Sequence, residues 1–367
     1  MKYNLVLLIG MVFFLNTVNA QDENKKPIRL AVVGMSHGHI PFILKRPNKR
    51  DFNLVGFYET NDSLIFKLSE QFNLNSKLIY KDLEKMLDEV KPEAVVAFGS
   101  VYDHLMAVEA CAPRGIHVMV EKPLAVNMEH AKKMALLAKK HNIHLLTDYE
   151  TSWYPSLAKS FSLVLEENFV GQLKRVIINT GHKGPKEIGC DKYFLEWLTD
   201  PKLNGGGAIV DFGCYGANIV TALTKGEKPI SVSAVTRQLK PKVYPNVDDD
   251  ATIVISYPSF QCVIQASWNW TFSRKDIEIY GKEGYIKLDK NQITTRKSEN
   301  QSEETKSIKE INVDNYTDPF TYFGDVINKN IKMEPFSLYS IDNNIRVVEI
   351  LDLARKSAQE GKAIPFK

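Results

Sequence analysis

Cysteine is scarce in this chain: Cys111, Cys190, Cys214 and Cys262 are widely spaced among 367 residues, with no Cys-x-x-Cys pair. That pattern supports neither a thiolate metal site nor a disulfide framework, so the four read as small buried residues. An excess of one charge is also lacking. Lys and Arg number 47 against 44 Asp and Glu, the net charge is +3, and no five like charges run together. Nothing in that balance attracts nucleic acid or an anionic membrane surface. Repeats and low-complexity segments are absent. Hydrophobic residues at 44% and charged residues at 25% are ordinary for a globular protein, and the length suggests two domains.

The first twenty residues stand apart. Lys2 gives a short positive start, Leu5 to Leu15 is apolar, and Val18-Asn19-Ala20 places small residues where a signal peptidase cuts. The apolar run is shorter than the roughly 20 residues of a membrane-spanning helix. The expectation is a cleaved signal peptide over residues 1–20, a mature chain from Gln21, and a periplasmic or secreted protein; a retained anchor is the alternative. No cysteine follows for lipid attachment and no twin-arginine pair precedes the run, so the chain should cross unfolded and without cofactor.

From Pro27, short apolar runs alternate with helix-period segments. Ile28 to Val33, Phe52 to Tyr58, Ala94 to Phe98, Ile116 to Val120 and Ile143 to Thr147 read as buried strands separated by helices. Such alternation indicates a parallel sheet covered on both faces, here over residues 27–148. Over residues 149–367 strands follow one another with few helices between, as in Val176 to Asn179, Val232 to Thr236, Thr252 to Tyr257 and Gln261 to Ser267. A Gly281-Lys282-Glu283-Gly284 turn parts two more. These predict a large, mostly antiparallel sheet. Lys297 to Lys309 reads as an exposed charged loop, and Asn343 to Gln359 as a helix stopped by Gly361.

The first strand opens into Gly34-Met35-Ser36-His37-Gly38-His39, which departs from Gly-x-Gly-x-x-Gly at its second and third glycines. Its place between a buried strand and an expected helix suits it to hold a pyrophosphate on backbone N–H groups and the helix dipole. Glu59 ends the second strand, where a carboxylate accepts bonds from ribose hydroxyls and repels a 2′-phosphate, favouring NAD over NADP. Gly99, Ser100 and His104, after the strand Ala94 to Phe98, extend the same candidate set. More specific is Glu121-Lys122-Pro123, where a strand ends at the edge on which α/β sheets place their ligands.

Together these residues resemble the glucose–fructose oxidoreductase/inositol dehydrogenase/MocA family over essentially the whole chain from Ile28. Val170-Gly171-Gln172-Leu173, Gly205-Gly206-Gly207-Ala208 leading to Asp211, and Asn343 to Ile350 add to the likeness. The resemblance implies an N-terminal doubly wound Rossmann sheet, a C-terminal α+β domain with an open sheet, NAD as cofactor, and a homodimer or homotetramer. It also implies that Lys122 stands by the nicotinamide and polarises a sugar hydroxyl, stabilising developing alkoxide. The family's Asp-x-Gly-x-His reads Asp211-Phe212-Gly213-Cys214-Tyr215 here, with tyrosine for histidine. A tyrosine has a reference pKa of about 10, so Tyr215 needs Lys122 nearby to serve as a base, and His182 in the next strand-end loop is the rival base. If Asp211 and Tyr215 begin a helix, i and i+4 converge on one pocket.

Relatives often carry Asn-x-Arg where this chain has Glu150 and Ser152, which leaves Trp153 and Tyr154 as possible platforms for a sugar face. Trp197 reads as core, and Trp268-Asn269-Trp270 is divided between core and pocket. The pairs His37/His39 and His141/His144 have no carboxylate placed beside them by sequence, so no metal is expected. The favoured function is therefore NAD(P)-dependent oxidation or reduction of a secondary alcohol on a sugar, sugar acid or glycoside. Export raises two alternatives, since free NAD is scarce outside the cytoplasm. One is redox-neutral chemistry with a retained nucleotide, either glycoside cleavage or sugar-to-sugar hydride transfer. The other is a non-catalytic sugar-binding protein.

Overall fold

The computed structural model describes residues 26–367, so the expected signal peptide lies outside the described residues. The first half runs β1 (Ile28–Val33), α1 (Pro41–Leu44), β2 (Phe52–Tyr58), α2 (Asp62–Phe72), β3 (Ile79–Tyr80), α3 (Leu83–Val90), β4 (Ala94–Ala97), α4 (His104–Cys111), β5 (His117–Glu121), α5 (Met128–His141) and β6 (Leu145–Asp148). All its strand pairs are parallel, in the order β3-β2-β1-β4-β5-β6. This is the doubly wound sheet the alternation predicts. Every residue of β4 is buried, as expected of a strand covered on both faces.

The second half runs α6 (Pro155–Leu165), β7 (Leu173–Gly181), α7 (Lys192–Leu198), α8 (Ala208–Asp211), α9 (Gly213–Leu223), β8 (Ser231–Arg237), β9 (Asp250–Ser256), β10 (Gln261–Ser267), β11 (Arg274–Gly281), β12 (Tyr285–Leu288), β13 (Gln292–Arg296), β14 (Glu304–Ser307), α10 (Pro319–Ile327), α11 (Ile341–Glu360) and β15 (Ile364–Pro365). Nine strands form one sheet, ordered β14-β13-β12-β11-β7-β10-β9-β8-β15. Only the central β7–β10 contact is parallel. Helix α9 is buried along its whole length against this sheet. A Cβ at Gly216 would lie 2.6 Å from Ile264, so glycine is what lets the helix seat that closely.

Three local expectations change. The helix after the glycine turn is a single turn, α1, so the pyrophosphate would meet loop N–H groups and not the end of a long dipole. The segment Lys297 to Lys309 supplies β14, an edge strand whose charge and exposure guard the end of the sheet. Helix α10 was not foreseen, although Asp318 caps it through Phe320 N–H and Pro319 fills its first position. It packs Phe320, Phe323 and Val326 with Ile28, Leu30 and Phe57 of the first sheet. Arg46 fastens it with a bond to Asp318 at 2.9 Å.

Candidate active site

The glycine turn leaves β1 at Gly34, whose φ is +72° and whose hypothetical Cβ would lie 2.7 Å from Gly99. Only glycine fits there, which brings the turn against the loop after β4. Gly34, Ser36, Glu59, Gly99 and His104 line one cleft of about 170 Å³. Glu59 is buried and its carboxylate accepts N–H bonds from Met35 at 2.9 Å, Thr60 at 2.9 Å and Asn61 at 3.0 Å. It therefore ties the glycine turn to the end of β2. Ser100 caps the turn before α4 through Asp103, at 2.6 Å.

These features fit a dinucleotide. Among the described residues, the N–H groups of Ser36 and Gly38 find no acceptor. Nε2 of buried His104 also has no partner, while its Nδ1 lies 3.2 Å from the Leu124 carbonyl. Free donors on a glycine turn and a lone acceptor nearby suit a pyrophosphate and hydroxyl groups.

His37 and His39 meet Glu121, at 3.9 Å and 3.1 Å. The carboxylate that the sequence did not place beside this histidine pair is thus present, and the three residues could surround a cation. Hydrogen bonding accounts for the cluster without one. His37 Nδ1 accepts the His39 N–H at 3.1 Å, which assigns the ring proton to Nε2, facing Glu121. Burial keeps His37 neutral, with its pKa lowered to about 3. Burial works against the Glu121 anion, but His39, His37 and Lys122 outweigh it and hold the carboxyl below its ordinary range.

Lys122 follows Glu121 at the end of β5 and pairs with the Asp211 carboxylate. Both are buried, at 6% and 4% exposure. Lys122 Nζ also donates to the Asp211 carbonyl at 3.1 Å. That carbonyl is accessible because the expected continuous helix is broken at Phe212, with Asp211 ending α8 and Tyr215 in the first turn of α9. Trp268 Nε1 donates to the other Asp211 oxygen at 2.9 Å. Burial alone would drive lysine and carboxyl neutral, yet their mutual attraction wins: the Lys122 pKa is raised and the Asp211 pKa lowered. The pair is an ammonium and a carboxylate.

Tyr215 lies under Lys122, whose Nζ is 5.2 Å from the ring centroid, and under Lys275 at 4.7 Å. Burial and neighbouring Glu150 push its pKa well above the ordinary tyrosine value, so it remains a phenol. His182 accepts the Gly184 N–H on Nδ1 at 2.9 Å, which puts its proton on Nε2, and burial lowers its pKa to about 4. The two residues thus carry protons to donate, on the Tyr215 hydroxyl and on His182 Nε2. The proton-accepting role expected of one or other is not what these environments favour.

Beyond Phe212 opens a cavity of about 490 Å³ that contains His182 and Tyr154. Tyr154 donates to Glu150 at 2.7 Å, and Lys275 on β11 pairs with the same carboxylate. Trp153 turns away to bond Asp148 at 2.7 Å and to stack on Tyr339. Sequence reasoning passed over Lys275, Asp148 and the Trp268–Asp211 bond. Of these only Trp268 stood in a recognisable pattern, the Trp-Asn-Trp strand end.

A parallel nucleotide-binding sheet, a glycine turn and a buried lysine–aspartate pair facing a second, open-sheet domain are the architecture of the two-domain NAD-binding oxidoreductase family. Residues 28–149 match the model of the oxidoreductase family with an NAD-binding Rossmann fold, and residues 162–287 that of the GFO/IDH/MocA C-terminal domain. The chain belongs to the GFO/IDH/MocA oxidoreductase family. Over 195 residues it is 27% identical to trans-1,2-dihydrobenzene-1,2-diol dehydrogenase of Xenopus laevis, covering 53% of this chain and 55% of the relative. The Bos taurus enzyme of that name is 28% identical over 201 residues, 53% of this chain and 54% of the relative. The chain thus matches about half the length of these relatives. In structure it is similar to an aldose–aldose oxidoreductase from Caulobacter crescentus complexed with glycerol (TM-score 0.76, 18% identity, 92% of this chain and 99% of that one). It is also similar to an inositol dehydrogenase homolog complexed with NAD+ from Azotobacter vinelandii (TM-score 0.79, 16% identity, 93% and 97%). At such identities the structural likeness concerns the fold.

Proposed function

We propose that this protein moves hydride between NAD and a secondary alcohol of a sugar or glycoside. The observation that carries the reading is the buried Lys122–Asp211 ion pair, whose chain neighbours Glu121 and Phe212 meet the histidines of the glycine turn and line the polar cavity respectively. Bound NAD supplies the hydride acceptor or donor. As a free amine Lys122 would take the alcohol proton when the C–H bond is broken, and as an ammonium it would return that proton to the oxygen when the bond is made, stabilising negative charge there. Asp211 fixes the ammonium, and the Tyr215 hydroxyl and His182 Nε2–H orient neighbouring hydroxyls. Glu59 disfavours a 2′-phosphate and so selects NAD over NADP. The names of similar proteins, a dihydrobenzene-diol dehydrogenase, an aldose–aldose oxidoreductase and an inositol dehydrogenase homolog, support a diol or polyol as the type of substrate.

A second reading has a specific observation behind it. Phe194 and Trp197 of α7 pack on His37, with centroids 5.0 and 5.5 Å away, and Asp191 before α7 pairs with Lys67 of α2. The Tyr102 N–H meets the Leu203 carbonyl at 2.9 Å on the other lip. A segment fastened on both lips of the cleft suits a nucleotide that is kept through many turnovers. Retention would serve an exported protein, as the N-terminal apolar run suggests, by returning hydride to the same or a second sugar. The open sheet face, with half-buried Ile177, Val254 and Val263 in one row, supports a homo-oligomer.

The test loads one equivalent of NAD, adds a panel of sugars and glycosides, and follows product and NADH absorbance together. Product capped at one equivalent with equal NADH identifies an ordinary dehydrogenase. Many equivalents of product without NADH establish recycling. No reaction across the panel would overturn sugar oxidation.

A further inference from the structure

The proposed reaction leaves open whether the substrate is a neutral sugar or a sugar acid. The cavity beside the catalytic lysine has the charges to decide it. Its wall holds three cations, Arg274, Lys275 and Lys290. Three lining carboxylates, Glu150, Asp276 and Asp289, balance them in number. Arg274 meets Asp276 through Nε at 2.6 Å and a second nitrogen at 2.8 Å. Lys275 pairs with Glu150 Oε2, and Lys290 stands 3.5 Å from Glu150 Oε1. The third lining carboxylate, Asp289, accepts N–H bonds from Asn291 at 2.7 Å and Gln292 at 3.1 Å. Lys122 itself is committed to Asp211, and burial leaves His182 uncharged.

Lys275 is the cation nearest the chemistry. Its backbone is in register with Thr180, whose hydroxyl donates to the Phe212 carbonyl at 2.9 Å, so both side chains stand on the face of the sheet that looks toward the site. Its ammonium lies over the Tyr215 ring. A substrate carboxylate approaching Lys275 would meet Glu150 at the same place, and two carboxylates at such spacing repel strongly where water is partly excluded. A neutral polyol meets the opposite situation. Its hydroxyls can donate to Glu150 and accept from Lys275 and Lys290 without separating any pair, and bonds to charged partners are the stronger kind. Discrimination of this sort works through repulsion of the wrong ligand as much as attraction of the right one.

We infer that the Glu150–Lys275 pair selects neutral sugars or glycosides and rejects sugar acids, an inference that rests on the sugar-oxidoreductase reading above. Glu150 is the selecting residue, because it occupies the one cation that could otherwise receive a carboxylate beside the reacting centre. Removing its charge should free Lys275 for an acidic substrate.

The experiment uses the NAD-loaded protein and matched methyl glycosides of the gluco, galacto and manno series, each as the neutral sugar and as its uronate. Affinities are measured by calorimetry at low salt, apart from turnover. In the unaltered protein, the neutral member of at least one pair should bind ten or more times tighter than its acid. Glu150→Gln should shrink that ratio at least tenfold, and Lys275→Met should weaken the neutral sugar without restoring the acid. An unaltered protein in which no pair shows the neutral sugar binding tighter than its uronate overturns the inference, whether or not the variants fold. A folded Glu150→Gln protein with an unchanged ratio overturns it too. If NAD binds and no sugar of either kind does, the sugar reading itself falls.

Discussion

The nucleotide side and the proposed substrate side of this site are built by different physical means. On the nucleotide side, contacts come from the backbone: free N–H groups of Ser36 and Gly38, and a Glu59 carboxylate that gathers three further N–H groups. On the substrate side, side chains from separate strands carry the work, as in Asp211 held by Lys122 from β5 and Trp268 beyond β10. Backbone recognition tolerates variation in side chains, whereas the substrate side depends on individual charges. The nucleotide side should therefore fail gradually under substitution and the substrate side, Lys122 included, abruptly.

The sharpest break is expected at Lys122. Lys122→Met should lower turnover by about 10² or more, with NAD affinity nearly unchanged, because it removes the proton-holding group and leaves the glycine turn alone. Retention of half the turnover would end its role. The sign of the pH dependence follows from the raised Lys122 pKa. Alcohol oxidation needs the amine free to accept a proton, so its rate should climb roughly tenfold per pH unit below that pKa. Ketone reduction needs the ammonium and should be flat over the same range. Initial rates in both directions across pH decide this.

Next comes Trp268→Phe, which keeps an aromatic ring but deletes the N–H bonded to Asp211. A hydrogen bond to a charged group is worth about 1.5–3 kcal/mol, so kcat for ketone reduction should fall at least tenfold with little change in NAD binding. The rise of the oxidation rate with pH should also shift to lower values, as a loosened Asp211 supports the ammonium less well. Unaltered pH profiles would reduce Trp268 to packing. A smaller effect is expected from Glu59→Ala. Besides admitting NADP, it strands three backbone donors, so stability should fall by about 1–3 kcal/mol in a urea titration. Tighter NADP than NAD binding by the unaltered protein would remove Glu59 as the selector.

The same contrast governs what could be read in the sequence. Both sheets were legible because strand periodicity is local, and so were the glycine turn, Glu59 and the Glu121-Lys122-Pro123 strand end. Helix α10 was missed because its apolar face is complementary to a distant surface, the first sheet, although its Asp-Pro start was in plain view. Lys275 had no local mark at all. It enters the site only through the register of β11 against β7, and its partner Glu150 lies 125 residues earlier. Glu121 illustrates the opposite: the histidines were noticed, but the carboxylate that explains them arrives from another strand.

The smallest effect should come from Lys67, and it bears on whether the nucleotide is retained. Lys67 reaches from α2 across the cleft to Asp191, the residue that caps α7 through the Tyr193 N–H at 2.9 Å. Both partners are substantially exposed, and exposed ion pairs are worth about 0–1 kcal/mol. Lys67→Ala should therefore speed NADH release by about fivefold at most, measured by stopped-flow fluorescence, and high salt should erase the difference. Phe194 and Trp197 remain on His37 in that variant, so the aromatic packing keeps its share of the restraint. A much larger acceleration would mean that the ion pair alone holds the segment down. An unchanged rate at low salt would mean that the packing does, and that the nucleotide side owes even its closure to contacts other than charge.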